Sequence, residues 1–260
     1  MDNSKCTFVF GGITMKNLFC AVLIFVASLS HAGFDEGFEA YKKGNYTVAL
    51  KEFKQAAEQG NAHAQFGIGL MYDRGEGVPQ DYKQAIEWYT KAAVQGDDYA
   101  QYTLGGMYAN GRGIPQSYKQ AFDWWQKAAN QGHIGSQFGI GLMYDRGEGV
   151  PQDYKQAVEW YTKAAEQGYA MAQFNLGLMY HNGRGVSQSY AQAVIWYQKA
   201  AEQGDAKAQH SLGYMYETGQ GVPQDYKRAV IWYQKAAEQE SPIALSILGV
   251  MYAEGKGVPK

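Results

Sequence analysis

Apolar and polar positions along this chain recur on two periods at once. In short windows the apolar residues fall three and four apart, the spacing of one face of a helix. Over longer distances the whole arrangement returns every 36 residues. Met-Tyr stands at 71–72, 107–108, 143–144, 179–180, 215–216 and 251–252. Trp88, Trp124, Trp160, Trp196 and Trp232 keep the same interval, as do Pro79, Pro115, Pro151, Pro223 and Pro259, with Ser187 in the one gap. Five full repeats from Asn61 to Glu240 carry no insertion or deletion, and segments 65–96 and 137–168 differ only at 86/158 and 94/166. A fixed period of this length marks a repeat architecture.

Each repeat reads as two helices. In the first, Ala64, Ile68, Met71 and Tyr72 give helix A, about Ala62–Tyr72, one apolar side. Gly75 and Gly77 end it, because a helix C-cap favours positive φ and glycine takes it at no steric cost. Val78-Pro79 carries the chain to Asp81, a natural N-cap for helix B, and Gln84 three residues on predicts a capping box. Ser117/Gln120, Asp153/Gln156 and Ser189/Gln192 repeat the device. Along helix B, Tyr82, Ala85, Ile86, Tyr89, Ala92 and Ala93 form an apolar stripe with Trp88 at its edge. Gly60, Gly96, Gly132, Gly168 and Gly204 stop the B helices, and Glu240 breaks that series.

Gly69, Gly105, Gly141, Gly177, Gly213 and Gly249 sit inside helix A. An interior glycine costs about 0.5–1 kcal/mol relative to alanine. Its presence in every repeat implies that a neighbouring helix comes too close for a β-carbon. A single hairpin cannot cover its own apolar surface, so the expected fold is all-α, with hairpins stacked into a two-layer solenoid.

These residues carry a resemblance. Ala100, Leu104-Gly105, Met107-Tyr108, Gly111, Gly113, Tyr118, Trp124-Trp125, Lys127-Ala128-Ala129 and Gln131-Gly132 follow the pattern of the Sel-one-like repeat family, relatives of the tetratricopeptide repeats, and the match covers 61–260. Repeats are placed at 61–96, 97–132, 133–168, 169–204 and 205–240, with a partial sixth at 241–260. Residues 33–60, with Ala40-Tyr41-Lys42-Lys43-Gly44-Asn45-Tyr46, Ala49, Phe53 and Ala56-Ala57, resemble a plain tetratricopeptide hairpin acting as an N-terminal cap. The resemblance implies a right-handed α–α superhelix that serves as an adaptor or assembly platform, with no enzymatic activity. Some exported bacterial relatives are rich in cysteine and bind penicillin. The cysteine-free part of this chain does not inherit that activity.

If helix A lines the concave side, as in tetratricopeptide repeats, helical geometry at 3.6 residues per turn selects the partner-binding positions. They are the row Phe66, Tyr102, Phe138, Phe174 and His210, then Leu70, Leu142, Leu178 and Tyr214, then Asp73, Asp145, His181 and Glu217. Tyr99 belongs with them, at a position that varies as His63, Tyr99, Met171 and Lys207. The functional reading is an aromatic groove rimmed by acids that takes a protein or peptide. The competing reading is that the rings pack on one another. The row lacks the lysines and asparagines with which some tetratricopeptide domains clamp a peptide carboxylate.

Composition narrows the function further. A net charge of -2 offers no basic stripe for nucleic acid. From Met15, read as the start, Lys16-Asn17 precede an apolar run from Leu18 to Leu29 and then Ser30-His31-Ala32. That is the layout of a secretory signal peptide, 1–32, cut after Ala32, and its run is too short to span a bilayer. Cys6 and Cys20 both fall within it. The expectation is an exported protein, periplasmic or secreted, with no stable membrane insertion after cleavage.

No catalytic or cofactor motif stands out. The Gly-x-Gly turns follow helices, not strands, so they are caps and not nucleotide fingerprints. His63, His133, His181 and His210 lack zinc-ligand spacing. The last helix is unusually apolar, with Ile243, Leu245 and Ile247, so the sequence is either a fragment or a chain that docks there, for example on a second copy. The first expectation is an exported scaffold that recruits a protein. The alternatives are a cell-envelope penicillin-binding, β-lactamase-like or hydrolase enzyme, and a secreted host-directed effector.

Overall fold

The computed structural model describes residues 33–258. The signal segment, Met15 and both cysteines lie outside them. Among the described residues there are thirteen helices and no strand. Helix α1 covers 33–42. It is followed by α2 (Tyr46–Glu58), α3 (Ala62–Arg74), α4 (Tyr82–Val94), α5 (Asp98–Asn110), α6 (Tyr118–Asn130) and α7 (Ile134–Arg146). Then come α8 (Tyr154–Glu166), α9 (Ala170–Asn182), α10 (Tyr190–Glu202), α11 (Ala206–Thr218), α12 (Tyr226–Ala237) and α13 (Pro242–Glu254). The chain divides into two compact units, the first ending at Gln116 and the second beginning at Ser117. Unit 1 holds α1–α5 and unit 2 holds α6–α13. Inside each, hairpins stack in chain order, which is the packing of a solenoid.

The local signals act as the sequence predicts, with one correction. In α3 the Asn61 side chain accepts from the Ala64 N–H, and the C-cap Gly75 sits at φ 71° with its N–H on Met71 O. Gly77, at φ 73°, is needed for a second reason: a β-carbon there would come within 2.6 Å of Tyr46 Cβ at the start of α2. Asp81 caps α4 through the N–H groups of Lys83 and Gln84. Its own N–H donates to Tyr72 O at 2.9 Å, so the reciprocal half of the expected capping box is replaced by a bond that ties helix B back to helix A. Asp153 on Tyr144, Ser189 on Tyr180 and Asp225 on Tyr216 do the same. At the end of α12, Glu240 takes the positive φ, 58°, that glycine holds in the other repeats.

At Gly69, Gly141, Gly177 and Gly213 the glycine inside helix A answers first to a ring of helix B, with the Ala193 carbonyl also close at Gly177. A β-carbon at Gly69 would lie 2.6 Å from the Tyr89 ring, and one at Gly141, Gly177 or Gly213 would meet Tyr161, Tyr197 or Tyr233 at 2.6–2.9 Å. These four tyrosines of the B helices are almost wholly buried and fill each hairpin. The methionines of the Met-Tyr pairs, from Met71 to Met251, are buried beside them.

Successive hairpins are joined by glutamines. The Gln65 Nε2 donates to Ala57 O in the last turn of α2 at 3.4 Å, and the Gln95 Nε2 donates to Gln65 Oε1 at 2.7 Å. The pair recurs in unit 2 as Gln173 on Ala165 O with Gln203 on Gln173, and as Gln209 on Ala201 O with Gln239 on Gln209. The last carbonyls of a helix have no partner within it, so these buried amides supply one.

Candidate functional site

In unit 1 the A-helix face carries a cavity of about 350 Å³. Phe34 and Phe38 of α1, Phe53 of α2, Phe66 of α3 and Tyr99 of α5 wall it. Phe66 is half-buried, with its ring centroid 5.4 Å from Tyr89 and 6.2 Å from Tyr99. Leu70 lines the same space, while Tyr99 and Tyr102 are exposed. Tyr41, also on the wall, donates its hydroxyl to Glu76 and accepts from Arg74 Nη1 at 3.1 Å. Burial and the carboxylate push its pKa up to about 12. His63 lines the cavity and places Nδ1 2.6 Å from Oδ2 of Asp97. Asp97 is the buried N-cap of α5, and its other oxygen takes the Ala100 N–H at 2.7 Å.

Unit 2 presents the same ring row over more open, more polar clefts. Phe138 lies 5.8 Å from Tyr161 and 5.1 Å from Tyr169, Phe174 lies 5.8 Å from Tyr197, and His210 lies 5.6 Å from Tyr233. One cleft, about 380 Å³, has Phe138, Leu142 and Phe174 on its walls together with Arg146, Asn175 and Lys207. Another, about 370 Å³, is lined by Leu178, His181, His210 and Tyr214. Leu178 and Tyr214 are exposed, whereas Leu142, His181 and His210 are half-buried. Burial lowers the pKa of His181 and of His210, with Glu217 partly opposing it for His210. The Nδ1 of His181 is buried without a hydrogen-bond partner.

The two readings of the ring row therefore combine. Phe66, Phe138, Phe174 and His210 each pack against the helix-B tyrosine of their own repeat and also line a cavity or cleft, whereas Tyr102 belongs to the repeat that has Trp125 instead.

The acids have a different role from the rim first expected. Tyr89, Tyr161 and Tyr233 donate their hydroxyls to Asp73, Asp145 and Glu217 at 3.3, 3.2 and 2.8 Å. Asp73 is buried and also ion-paired with Arg112, while Asp145 and Glu217 are half-buried. A signal for this existed: the acid is missing as Ala109 in the repeat where Trp125 replaces the tyrosine. Burial and the acids push Tyr89, Tyr161 and Tyr233 far above the usual phenol range.

The B helices repeat a cation over an indole. Lys91 lies over Trp88 at 4.1 Å, Lys163 over Trp160 at 3.7 Å and Lys199 over Trp196 at 4.1 Å. Among the described residues no three His, Cys, Asp or Glu side chains gather as a metal site, and no helix is long and apolar enough to cross a membrane.

With this geometry in hand, comparison with known proteins gives a consistent picture. The model of a family described as Sel1 repeat matches residues 33–61, 62–97, 98–133, 134–169, 170–205, 206–241 and 242–260. The first match takes in the α1–α2 hairpin. A crystal structure of c5321, described as a protective antigen present in uropathogenic Escherichia coli strains displaying an SLR fold, is 40% identical with a TM-score of 0.83. That match covers 88% of this chain and 52% of c5321, so the chain spans about half the length of that relative. A Sel1 repeat protein from Oxalobacter formigenes is 36% identical with a TM-score of 0.79, over 88% of this chain and 91% of the other. A curated rat protein, DAP3-binding cell death enhancer 1 of Rattus norvegicus, is 42% identical over 45 residues, which is 17% of this chain and 9% of that protein.

Proposed function

The chain belongs to the Sel1 repeat family, and we propose that it is an exported scaffold, periplasmic or secreted, that recruits a protein or peptide through the A-helix faces of its two units. The observation that carries this reading is the ring row itself. Phe66, Phe138 and Phe174 each spend one side on a buried tyrosine and keep the other at a cavity or cleft. Aromatic side chains held rigid at an open surface offer much contact area at low entropic cost, and they are enriched where proteins bind one another.

Two facts about relatives point the same way. The rat protein is named for binding another protein, and c5321 is described as a protective antigen, which suits a protein met outside the cell. The signal-peptide layout from Met15 to Ala32 supports export.

The test compares cross-linked partners of the purified protein with those of a variant carrying Phe66→Ala, Tyr102→Ala, Phe138→Ala and Phe174→Ala together. Circular dichroism first establishes that the variant is folded. Loss of specific partners from the variant supports the reading, and equal capture by both proteins sinks it. Export is tested separately by fractionating cells and mapping the N-terminus of the recovered chain, which is expected at Gly33.

A further inference from the structure

The wall of the unit 1 cavity is almost wholly carbon, supplied by Phe34, Phe38, Phe53, Phe66, Leu70 and Tyr99. Of the polar groups at its edge, the Tyr41 hydroxyl is bonded to Glu76 and Arg74, and Nδ1 of His63 is bonded to Asp97. The rings are set by their neighbours. Phe34 stacks on Phe38 and on Phe53, both pairs with centroids 5.9 Å apart and with planes inclined by 15° and 27°. Phe53 itself is wedged between two glycines, since a β-carbon at Gly37 or Gly67 would lie 2.7 or 2.9 Å from its ring. Water in such a space makes few hydrogen bonds, so an apolar guest displaces it at a gain. The rim is open, with Phe38 44% and Tyr99 58% exposed. A free small molecule would fill the hollow and leave that apolar rim wet, whereas a side chain on a polypeptide brings backbone that covers it.

We propose that this cavity is the anchor pocket of the partner-binding face and takes the phenyl ring of a phenylalanine borne by the partner. Carbon walls select against any guest that carries a donor or an acceptor. A tyrosine hydroxyl or an indole N–H brought inside gives up its bonds to water and finds none to replace them, and a charged group loses more. That leaves hydrocarbon, and walls made of rings favour a ring, because aromatic pairs contribute beyond the area they bury. The volume, about 350 Å³, lies at the low end of the range for pockets that hold small ligands. Rings already fixed in place also lower the ordering cost of binding. The unit 2 cleft that admits Arg146, Asn175 and Lys207 makes no such selection.

The anchor's biological role rests on the partner-binding reading, and the experiment separates the two. Toluene and p-cresol, the side chains of phenylalanine and tyrosine, are titrated into the purified protein by ligand-observed NMR. The expected result is saturable binding of toluene, with p-cresol roughly tenfold weaker, the effect of one hydroxyl left without a partner. Leu70→Trp fills the cavity from α3, and Leu142→Trp makes the same change at the matching position of unit 2. Circular dichroism checks that both fold. Leu70→Trp is expected to abolish toluene binding and the partner cross-links, while Leu142→Trp still binds toluene as the unaltered protein does. Phe38→Asp, at the exposed rim, serves as a second unit 1 variant and is expected to weaken toluene binding roughly fivefold or more. No saturable toluene binding by the folded protein, p-cresol as tight as toluene, or toluene binding that survives both unit 1 substitutions overturns the proposal. So does unchanged partner capture by a Leu70→Trp variant that has lost toluene, which would leave the cavity a site for small molecules alone. If toluene fails while the four-alanine variant still loses its partners, the anchor falls and the wider face stands.

Discussion

The cavity of unit 1 and the clefts of unit 2 are of similar size, about 350 Å³ against about 380 and 370 Å³, yet their walls differ in kind. The unit 1 cavity is closed in by rings. Those of unit 2 admit Arg146, Asn175, Lys207 and two histidines. The frames beneath are nearly the same: 65–96 and 137–168, which contain Phe66 with Leu70 and Phe138 with Leu142, differ at two positions. The contrast therefore comes from what flanks them. Unit 1 has Phe34, Phe38 and Phe53 from the α1–α2 hairpin, with His63 and Tyr99; in unit 2 the positions matching His63 and Tyr99 are Gly135 and Met171, and Lys207 of the next repeat also lines the cleft. The repeats supply a recurring platform of rings, and the α1–α2 hairpin together with one variable position on each A helix changes the walls around it.

The largest effects should come from breaking the platform, and they should be equal in the two units. Tyr89→Ala and Tyr161→Ala each remove a buried ring beneath the row. Each is expected to cost about 3–5 kcal/mol in urea denaturation. A large cost in one unit and a small one in the other would break the claim of a shared frame. Next comes the glycine beneath that ring. Gly141→Ala pushes a methyl to 2.6 Å from the Tyr161 ring and should cost about 1–3 kcal/mol. At Gly249 a β-carbon meets nothing within 4 Å, so Gly249→Ala should instead gain about 0.5–1 kcal/mol from helix propensity. The same substitution with opposite signs isolates the ring as the reason for the glycine.

The platform was legible in the sequence because it depends on local chemistry repeated many times. The 36-residue period, the glycine caps and the Asp81 and Ser189 N-caps each state a backbone requirement, and the helices begin and end where they say. The walls were much less legible. Phe34 and Phe38 precede the exact repeats, so no sister position reveals which way they face. His63 and Asp97 meet across 34 residues, a pairing no helical wheel contains. The acids Asp73, Asp145 and Glu217 look like a solvated rim until the tyrosine hydroxyls sixteen residues later are seen to donate to them. Gln65 and its equivalents hide for a related reason: a polar residue on an apolar helix face reads as surface, and only the free carbonyls of the preceding helix explain its burial.

The acids give a sharper contrast between the units. Arg112 pairs with buried Asp73 and also lies over the Tyr82 ring at 5.6 Å. Arg184, its counterpart two repeats on, lies over Tyr154 at the same 5.6 Å and is not paired with Asp145. Arg112→Ala removes the charged partner of buried Asp73, leaving it the Tyr89 hydroxyl, and should cost about 1–2 kcal/mol, discounted because the arginine itself is half exposed. Arg184→Ala loses only the ring contact and should stay within about 0.5 kcal/mol. Equal costs would mean that Asp73 is no more locked than Asp145, and that the acids of both units remain open to a partner's cation.

The smallest effect concerns unit 2 and acid. Burial holds His181 and His210 below the ordinary imidazole value in the folded protein. As pH falls past about 6.5 the unfolded chain protonates these two rings while the folded chain still keeps them neutral. The unfolded state then binds more protons, so stability rises with pH in this window and falls as the pH drops, levelling off below the folded values. The melting temperature should therefore decline between about pH 7 and 5. His181→Asn combined with His210→Phe, which puts into the row the ring that Phe66, Phe138 and Phe174 already use, should remove that part of the decline. The effect is modest because both rings are only half-buried. If the double variant kept the full slope, acid sensitivity would belong to groups shared by both units, and the polar clefts of unit 2 would not be distinguished from the aromatic cavity of unit 1 by their response to pH.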